Sequence, residues 1–384
     1  MLGICQNVLN IVLGRPEVVV PYNITIEPIH EYDQAFAIFD SHLEKYDIVM
    51  LDDLWLRPFE SRLRTLSTLD SFQDHFKKKP FEEVFLQSLT AVCTNDDGVF
   101  AIPVSGNVQL LMYQQDLLKA AGSSSGHLPL GNPDELLDFL LTDRAKAAAD
   151  LPFIVRYATD NDLAENFWEI LRAYGYEEST ANGEVLIPAR LAQKALHWIQ
   201  KAHPNGKSDS LGWKAIRSFA GGQEKQAMMM FGWPVWVMPD LIRNPESWRS
   251  LGMKKFIRHP ITGFWSFAIP ETSKYPEEAM KLILAVTTVP ELQLLMGEAG
   301  LVPVLREFPE SLLKERHPAW KENLDTIRDA LASGKPRPRS MRWRDIEKEL
   351  ARQIRNGEFA SREGLFRFVD DTKAHVAYPS AFSL

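Results

Sequence analysis

The chain has 384 residues, of which 45% are hydrophobic and 24% charged, with a formal net charge of -8. These values are typical of a globular protein, and the length suggests two domains. The acidic balance argues against a nucleic-acid surface, because phosphate binding needs a clustered excess of Lys and Arg. The two cysteines, Cys5 and Cys93, are too few for a disulfide framework and lack metal-site spacing. No apolar run reaches the roughly 18 residues of a membrane span.

The amino end does not look like a secretory signal. Met1–Pro16 has no early basic residue, and Asn7 and Asn10 interrupt its apolar stretch. Three explanations stay open: the chain is mature, truncated or cytoplasmic.

Strands and helices alternate from the amino end onward. The pattern predicts a strand over Asn23–Ile29, a helix over Gln34–Leu43 and a buried strand over Tyr46–Leu51. Such a β-α-β unit implies a parallel or mixed sheet that is covered on both faces. Asp52 and Asp53 follow the buried strand, where polar residues lie at the cleft of an open α/β sheet.

The same alternation continues along the chain. Two apolar strands, Val99–Val104 and Val108–Tyr113, flank a predicted turn at Ser105–Asn107. The later strands are predicted over Phe153–Tyr157 and Ile261–Pro270, and the later helices over Asn166–Tyr176, Ala189–Ala202, Pro276–Thr287 and Pro290–Ala299. From Trp320 the pattern is helical, with a proline-rich turn at Lys335–Pro338.

The segment Gln223–Trp236, QEKQAMMMFGWPVW, is the sharpest local pattern. A charged helix end runs into a buried apolar strand and then into a Gly-Trp-Pro turn that carries Trp233 and Trp236. Flat rings at the end of a strand suit a sugar-binding cleft, because the apolar face of a pyranose packs on an aromatic face. Ordinary core packing is the alternative interpretation.

Several segments, taken in order, resemble the extracellular solute-binding proteins of sugar ABC transporters, the family of maltose-binding protein. The similarity extends over about residues 23–370 and rests on order and spacing more than on any single motif. The segments are YDIVMLDDLW at Tyr46–Trp55, GVFAIPVSGNVQLLMYQQDLLKAAG at Gly98–Gly122, NPDELLDFLL at Asn132–Leu141, AMMMFGWPVW at Ala227–Trp236, and Thr262–Glu307.

The resemblance implies an α/β protein with a two-lobe periplasmic-binding-protein-like fold (type II), whose hinged lobes surround a central ligand cleft. One lobe would contain residues 1–107 and 264–312, and the other residues 113–260 and 320–384. The hinge would lie near 107–113, 261–263 and 312–320. Family members usually have a strand and a long helix before the segment that corresponds to Asn23–Ile29, and Met1–Pro16 does not match them.

The resemblance also implies ligand contacts in both lobes. The expected ligand-binding residues are Asp53, Trp55, Asn107, Tyr157, Asp160, Trp168, Trp233, Trp236 and Trp265. Structural alternatives stay open for three of them. Trp55 would be a lid over the helix Leu56–Arg64, Asn107 a left-handed turn residue, and Trp168 part of an amphipathic core helix.

The expected function is non-catalytic: the protein binds a sugar or oligosaccharide and delivers it to the permease subunits of an ABC importer. It is expected to be a monomer and to act outside the cytoplasm. One alternative is a sensor module of a cytoplasmic regulator with the same fold. Another is a hydrolase using Asp52 and Asp53, although adjacent strand residues point to opposite faces. No cofactor is expected, and no metal either, because the nine histidines form no HxH or HxxxH pair. A polyol, sugar acid, peptide or polyamine remains an alternative ligand.

Overall fold

The computed structural model describes residues 24–27, 29, 32–124, 127–156, 159–177, 184–202, 227–244, 250–337, 343–356 and 365–369. The chain forms two compact units, each built from three segments. Unit 1 contains Met1–Val108, Pro234–Arg243 and Thr262–Ala332, and unit 2 contains Gln109–Trp233, Asn244–Ile261 and Ser333–Leu384. The predicted lobes place 234–243 and 320–332 in the other body, and their boundaries and hinge positions remain a prediction.

The described chain is a mixture of helices and short strands. The strands are β1 Val49–Asp52, β2 Thr94–Asn95, β3 Gly98–Val99, β4 Ile102–Val108, β5 Leu110–Gln114, β6 Leu151–Ile154, β7 Glu184–Pro188, β8 Ala227–Gly232, β9 Leu251–Lys254, β10 Ile261–Ala268, β11 Lys335–Pro336 and β12 Leu365–Val369. The helices of the first half are α1 Tyr32–His42, α2 Asp53–Phe59, α3 Asp70–Phe76, α4 Phe81–Val84, α5 Gln87–Thr90, α6 Gln115–Ala120, α7 Pro133–Leu141, α8 Asp143–Ala148 and α9 Asp160–Ala173. Those of the second half are α10 Ala189–Ala202, α11 Pro234–Arg243, α12 Pro276–Thr287, α13 Pro290–Glu298, α14 Glu310–Arg316, α15 Pro318–Ser333 and α16 Trp343–Asn356.

The sheet of unit 1 is organised around β10, whose eight residues are all buried. β10 pairs antiparallel with β1 on one side and with β4 on the other. The pairing places Trp265 opposite both Asp52 of β1 and Ser105 of β4. Residues opposite each other in such a pair share a face of the sheet, so this register decides which side chains come together.

The predicted turn at Ser105–Asn107 is wrong, because these residues continue β4 as extended strand. The segment is small and polar, but β10 pairs along it, and Gly106 also bridges to Val302. Gly106 packs closely against α15, since a Cβ atom at this position would lie 2.4 Å from a methyl carbon of Leu331 and that side chain would have to move. The left-handed alternative for Asn107 therefore does not hold.

In the predicted strand Asn23–Ile29, residues 24–27 and 29 have neither helix nor strand, and the rest lies outside the described residues. Proline begins both α12 and α13, at positions where its missing N–H costs nothing. In the part of the chain that the structure describes, no single helix is long and apolar enough to cross a membrane. The pair α12 and α13, bent by 64°, passes that test together by length and composition only.

Unit 2 has a four-stranded mixed sheet in the order β6-β8-β5-β9. β6 runs parallel to β8, and β5 runs antiparallel to both β8 and β9. All six residues of β8 are buried, which confirms the apolar strand predicted from the methionine run. The turn predicted after it is short: Gly232 ends β8 and Pro234 already begins α11.

The helix α9 is central to the packing of unit 2. Thr159 caps its amino end by accepting a hydrogen bond from the backbone N–H of Asp162 (3.0 Å). Along its length α9 packs against α10 and α16. The predicted helix Ala189–Ala202 is confirmed at both ends as α10. Its Trp198 is buried and donates its indole N–H to the carbonyl of Pro133 (2.6 Å).

A carboxyl group is buried near the carboxyl end of α9. Glu169 is 0% exposed, and its Oε2 accepts only a long hydrogen bond from the backbone N–H of Ile261 (3.4 Å). Its Oε1 has no hydrogen-bond partner among the described residues. Burial disfavours the charged form and raises the pKa of Glu169 to about 8, although the charge of Arg172 opposes the shift. Glu169 is therefore mostly protonated at neutral pH.

The raised pKa of Glu169 predicts that the free energy of unfolding falls as pH rises. Below the unfolded pKa both states bind the proton. Between that pKa and about 8 only the folded state binds it, so stability falls by about 1.4 kcal/mol per pH unit. Urea unfolding at about pH 5.5 and 7.5 should show a drop of about 2 kcal/mol in the wild type that Glu169→Gln lacks.

Glu177→Gln, a substitution at an exposed carboxylate of unit 2, is the control and should keep the wild-type pH dependence. An identical pH dependence of unfolding in Glu169→Gln and the wild type would contradict the assignment of this proton to Glu169.

Candidate functional site

Two adjacent carboxylates mark the start of α2 in unit 1. Asp52 ends β1, and its Oδ1 accepts a hydrogen bond from the backbone N–H of Leu54 (3.1 Å), which caps the helix. Asp53 is the first helical residue and is 2% exposed, and its Oδ1 accepts a hydrogen bond from the backbone N–H of Phe264 (3.4 Å). The chain thus fastens the start of α2 to β10 at the expected ligand-binding position Asp53.

An aromatic cluster lies beside this helix start. The ring of Trp55 meets that of Trp265 edge to face, with 5.7 Å between ring centroids, and also contacts Phe36 and Phe39 of α1. Trp55 is 1% and Trp265 5% exposed. Edge-to-face pairs of this kind stabilise aromatic cores. Trp55 therefore has a packing role in unit 1, and its expected ligand contact remains a prediction.

Asn107 lies on the same face of the unit 1 sheet as Trp265. Trp265 is opposite Ser105, and Asn107 follows two residues later on β4, opposite Gly263. Asn107 is 7% exposed, and its Oδ1 has no hydrogen-bond partner in the described part of the chain. Burying an amide oxygen without a partner costs free energy, so Oδ1 of Asn107 needs a hydrogen-bond donor from beyond the described residues.

Trp236 is the expected ligand-binding residue of unit 1 with a partly exposed side chain. It lies in the first turn of α11, between the buried residues Val235 and Val237. Unit 1 therefore contains five of the expected ligand-binding residues. Four of them lie on or close to β10 or β4, namely Asp53, Trp55, Asn107 and Trp265, and the fifth, Trp236, lies on α11, which packs against β4.

In unit 2 the expected residues are less closely grouped. Asp160, at the first position of α9, forms a partly exposed ion pair with Arg355 of α16 (2.5 Å). Trp168 is 0% exposed and packs on the ring of Tyr176, with 5.7 Å between centroids, as the core-helix alternative predicts. Tyr157 lies outside the described residues.

Trp233 joins a buried polar network in unit 2. Its indole N–H donates a hydrogen bond to Oε2 of Glu165 (2.8 Å), and the same oxygen accepts one from Nη2 of Arg156 (2.8 Å). Oε1 of Glu165 accepts hydrogen bonds from Arg337 (2.9 Å) and from Asn161 (3.0 Å). We call these five residues the Glu165 network.

Sequence reasoning did not single out Glu165, Arg156 or Arg337. A signal was present in the helix itself, where Asp162, Glu165 and Glu169 follow at helical spacing on the buried side of α9. Burial raises the pKa of Asp162, while the neighbouring Arg156, with which it forms an ion pair, opposes that shift. Buried acidic residues must either pair with a cation, as Glu165 does, or become neutral, as Glu169 does, but the sequence does not say which arginines pair with Glu165.

Among the described residues no three His, Cys, Asp or Glu side chains stand together as a metal site. Cys93 is buried.

The family model for bacterial extracellular solute-binding proteins matches residues 22–290. The chain belongs to this family. The membership agrees with the resemblance found in the motifs, and the matched residues extend from before α1 to the first residue of α13. Members of this family are bacterial extracellular solute-binding proteins. No sequence among curated proteins matches the chain.

Solved structures show the fold. MalE3 of T. maritima, bound to maltose, is 23% identical with a TM-score of 0.73, covering 93% of this chain and 91% of that one. An oligosaccharide-binding periplasmic protein, described as putative, from Synechococcus sp. MITs9220 is 17% identical, again with a TM-score of 0.73 and the same coverage. A solute-binding protein of Thermotoga lettingae TMO, bound with α-D-tagatose, is 17% identical with a TM-score of 0.68, covering 92% and 90%. The fold is thus the two-lobe periplasmic-binding-protein fold, as predicted.

Burial predicts losses of stability of different size at two tryptophans of unit 1, Trp55 and Trp236. Trp55→Ala removes a fully buried ring from the aromatic cluster and should lower the free energy of unfolding by about 3 to 5 kcal/mol. Trp236→Ala, its matched control at a partly exposed position, should cost less than about 2 kcal/mol. Urea unfolding followed by circular dichroism measures both. Equal losses for the two variants would show that the cluster around Trp55 is not a packing centre.

Proposed function

We propose that this protein captures a sugar or short oligosaccharide without converting it and delivers it to the membrane permease subunits of an ABC importer. The observation that carries the proposal is the buried Oδ1 of Asn107, which has no hydrogen-bond partner among the described residues and lies on the sheet face that Asn107 shares with Trp265. An amide offers a donor and an acceptor to neighbouring hydroxyl groups, and an indole offers an apolar face to a pyranose. Asp53, at the start of α2, would add a carboxylate acceptor.

Family membership and the ligands of similar proteins support the ligand class. Maltose is bound in one structure of the same fold and α-D-tagatose in another. Identities of 23% and 17% do not carry the identity of the sugar, because specificity rests on a few contacts that vary within one fold. The proposal therefore names the chemical class, polyhydroxylated rings, and no single sugar.

Capture would proceed by closure of two lobes around the ligand. Each lobe would supply part of the hydrogen bonds and an aromatic surface, so that the sugar is desolvated only when both are in place. Trp236 is the strongest aromatic candidate in unit 1 because its side chain is partly exposed. In unit 2 Trp233 and Asp160 would contact the ligand. Trp168 and Tyr157 are the other two residues of unit 2 that are expected to contact it. The protein would act as a monomer on the outer side of the cytoplasmic membrane.

A thermal-shift screen against maltose, maltotriose, tagatose and ribitol tests the ligand class. A ligand that binds only the folded state raises stability by about 2.7 kcal/mol at a hundredfold excess over its Kd. A rise in melting temperature with maltose, maltotriose or tagatose, and none with a tripeptide or spermidine, is the expected result, whereas a shift with ribitol alone would indicate a polyol and contradict the sugar proposal. Shifts only with the tripeptide or spermidine would reject the sugar proposal.

Asn107→Ala should weaken binding of the responding compound about tenfold, because a hydrogen bond to the ligand is lost. Its unfolding midpoint should stay close to that of the wild type, since no described residue hydrogen-bonds to Oδ1 of Asn107. Asn356→Ala, at an exposed position that ends α16, is the control and should leave both quantities unchanged. Titration calorimetry gives the affinities, and unchanged affinity in Asn107→Ala would remove Asn107 from the site.

A further inference from the structure

The indole of Trp233 is held by two different contacts within unit 2. Its N–H donates a hydrogen bond to Oε2 of Glu165 (2.8 Å), and the guanidinium of Arg337 lies over its ring, 5.7 Å from the centroid. The first contact fixes the plane and direction of the ring, and the second covers one of its faces at a cation–π distance. Trp233 is 4% exposed.

The carboxylate of Glu165 is itself fully engaged. Its two oxygens accept four hydrogen bonds, two from the arginines Arg156 and Arg337, one from Asn161 and one from Trp233. Four is about the number of lone-pair sites that a carboxylate offers. The group therefore cannot turn without breaking a hydrogen bond in the interior, where an unpaired donor is costly.

The charges of the network balance. Arg156 and Arg337 face Glu165 and Asp162, and the side chains of both arginines and of Glu165 are at most 4% exposed. Arg337 is also anchored through its own segment, because Arg172 of α9 donates to the carbonyls of Lys335 and Pro336 (3.0 and 2.6 Å). The whole assembly is thus fastened to α9.

We infer that Glu165 is a positioning residue for Trp233, and that Trp233 offers the ligand a ring face and not its N–H. The inference rests on the proposed sugar-binding function. A ring that is already fixed loses little conformational entropy when it binds, which favours affinity. Because the N–H is committed to Glu165, hydrogen bonds to sugar hydroxyls must come from other side chains.

The test observes the indole N–H groups of the full-length, ¹⁵N-labelled protein by NMR. The chain has ten tryptophans, and the Trp233 signal is identified by its loss in Trp233→Phe. In Glu165→Gln we expect this signal to move upfield and its exchange with water to accelerate by at least about tenfold, since a charge-assisted hydrogen bond is weakened. Glu349→Gln, which alters a carboxylate paired with Arg352 on α16, is the matched control and should leave the Trp233 signal unchanged.

A second variant guards against misfolding of Glu165→Gln, in which a buried arginine loses its partner charge. The double variant Glu165→Gln/Arg337→Met removes both charges of the Glu165–Arg337 ion pair, and methionine keeps most of the side-chain volume of arginine. The Trp233 signal should show the same upfield movement and faster exchange. An unmoved, slowly exchanging Trp233 signal in either folded variant would overturn the positioning role.

Affinity for the responding compound of the maltose, maltotriose, tagatose and ribitol panel separates positioning from plain structural support. Glu165→Gln should bind it roughly five- to tenfold more weakly, the scale expected when one aromatic side chain must be ordered on binding. Glu349→Gln should bind as the wild type does. Unchanged affinity in Glu165→Gln with a displaced Trp233 signal would remove Trp233 from the ligand site. If none of the four compounds binds the wild type, the sugar proposal fails, while the NMR result still decides whether Glu165 holds the ring.

Discussion

The register of β10 is the constraint on which unit 1 depends. β10 pairs with β1 and β4 at once, so a slip of one residue would turn Trp265 and its neighbours to the opposite face of the sheet. The correct register brings Trp265 opposite Ser105 and places Asn107 on the same face. It also brings the backbone N–H of Phe264 to Asp53, so that α2 starts at a fixed point beside the sheet. Polar and aromatic groups from three chain segments meet because one strand aligns them.

Unit 2 achieves its order by a different means. Its sheet is apolar, and every residue of β8 is buried. The contacts that fix the arrangement of its interior are the buried ion pairs made by Glu165 of α9. Removing one partner of a buried ion pair is strongly destabilising, because the remaining charge has no water to solvate it. Glu165 makes that penalty larger by binding two arginines, an asparagine and an indole through a single carboxylate. Glu169, one helical turn further along, is fully buried, and burial outweighs the opposing charge of Arg172, so its carboxyl group is mostly neutral at pH 7.

Much of the fold could be predicted from the sequence where a pattern is local. A continuous run of apolar residues predicted β8. Helical periodicity predicted both ends of α10, because the residues on the buried face of a helix recur at a fixed spacing along the sequence. The strand at Ser105–Asn107 could not be predicted in this way, since its residues favour turns and only pairing with β10 keeps them extended. The Glu165 network was equally hidden, because Arg337 is 172 residues away from Glu165 along the chain. The order of motifs identified the family. The burial of Trp55 and Trp168 depends on side chains from other parts of their units, which a local sequence pattern does not indicate.

The segmented construction of the two units has a consequence for synthesis on the ribosome. Unit 2 takes its last segment from Ser333 onward, so Glu165 and Arg156 emerge long before Arg337 does. Until Arg337 is synthesised, the carboxylate of Glu165 lacks the hydrogen bond from Arg337, and the ring of Trp233 lacks the guanidinium that lies over it. The interior of unit 2 therefore cannot form completely from its first two chain segments alone. Completion of this interior waits until residue 337 has been synthesised, and a nascent chain halted before that residue retains an incompletely neutralised acidic helix.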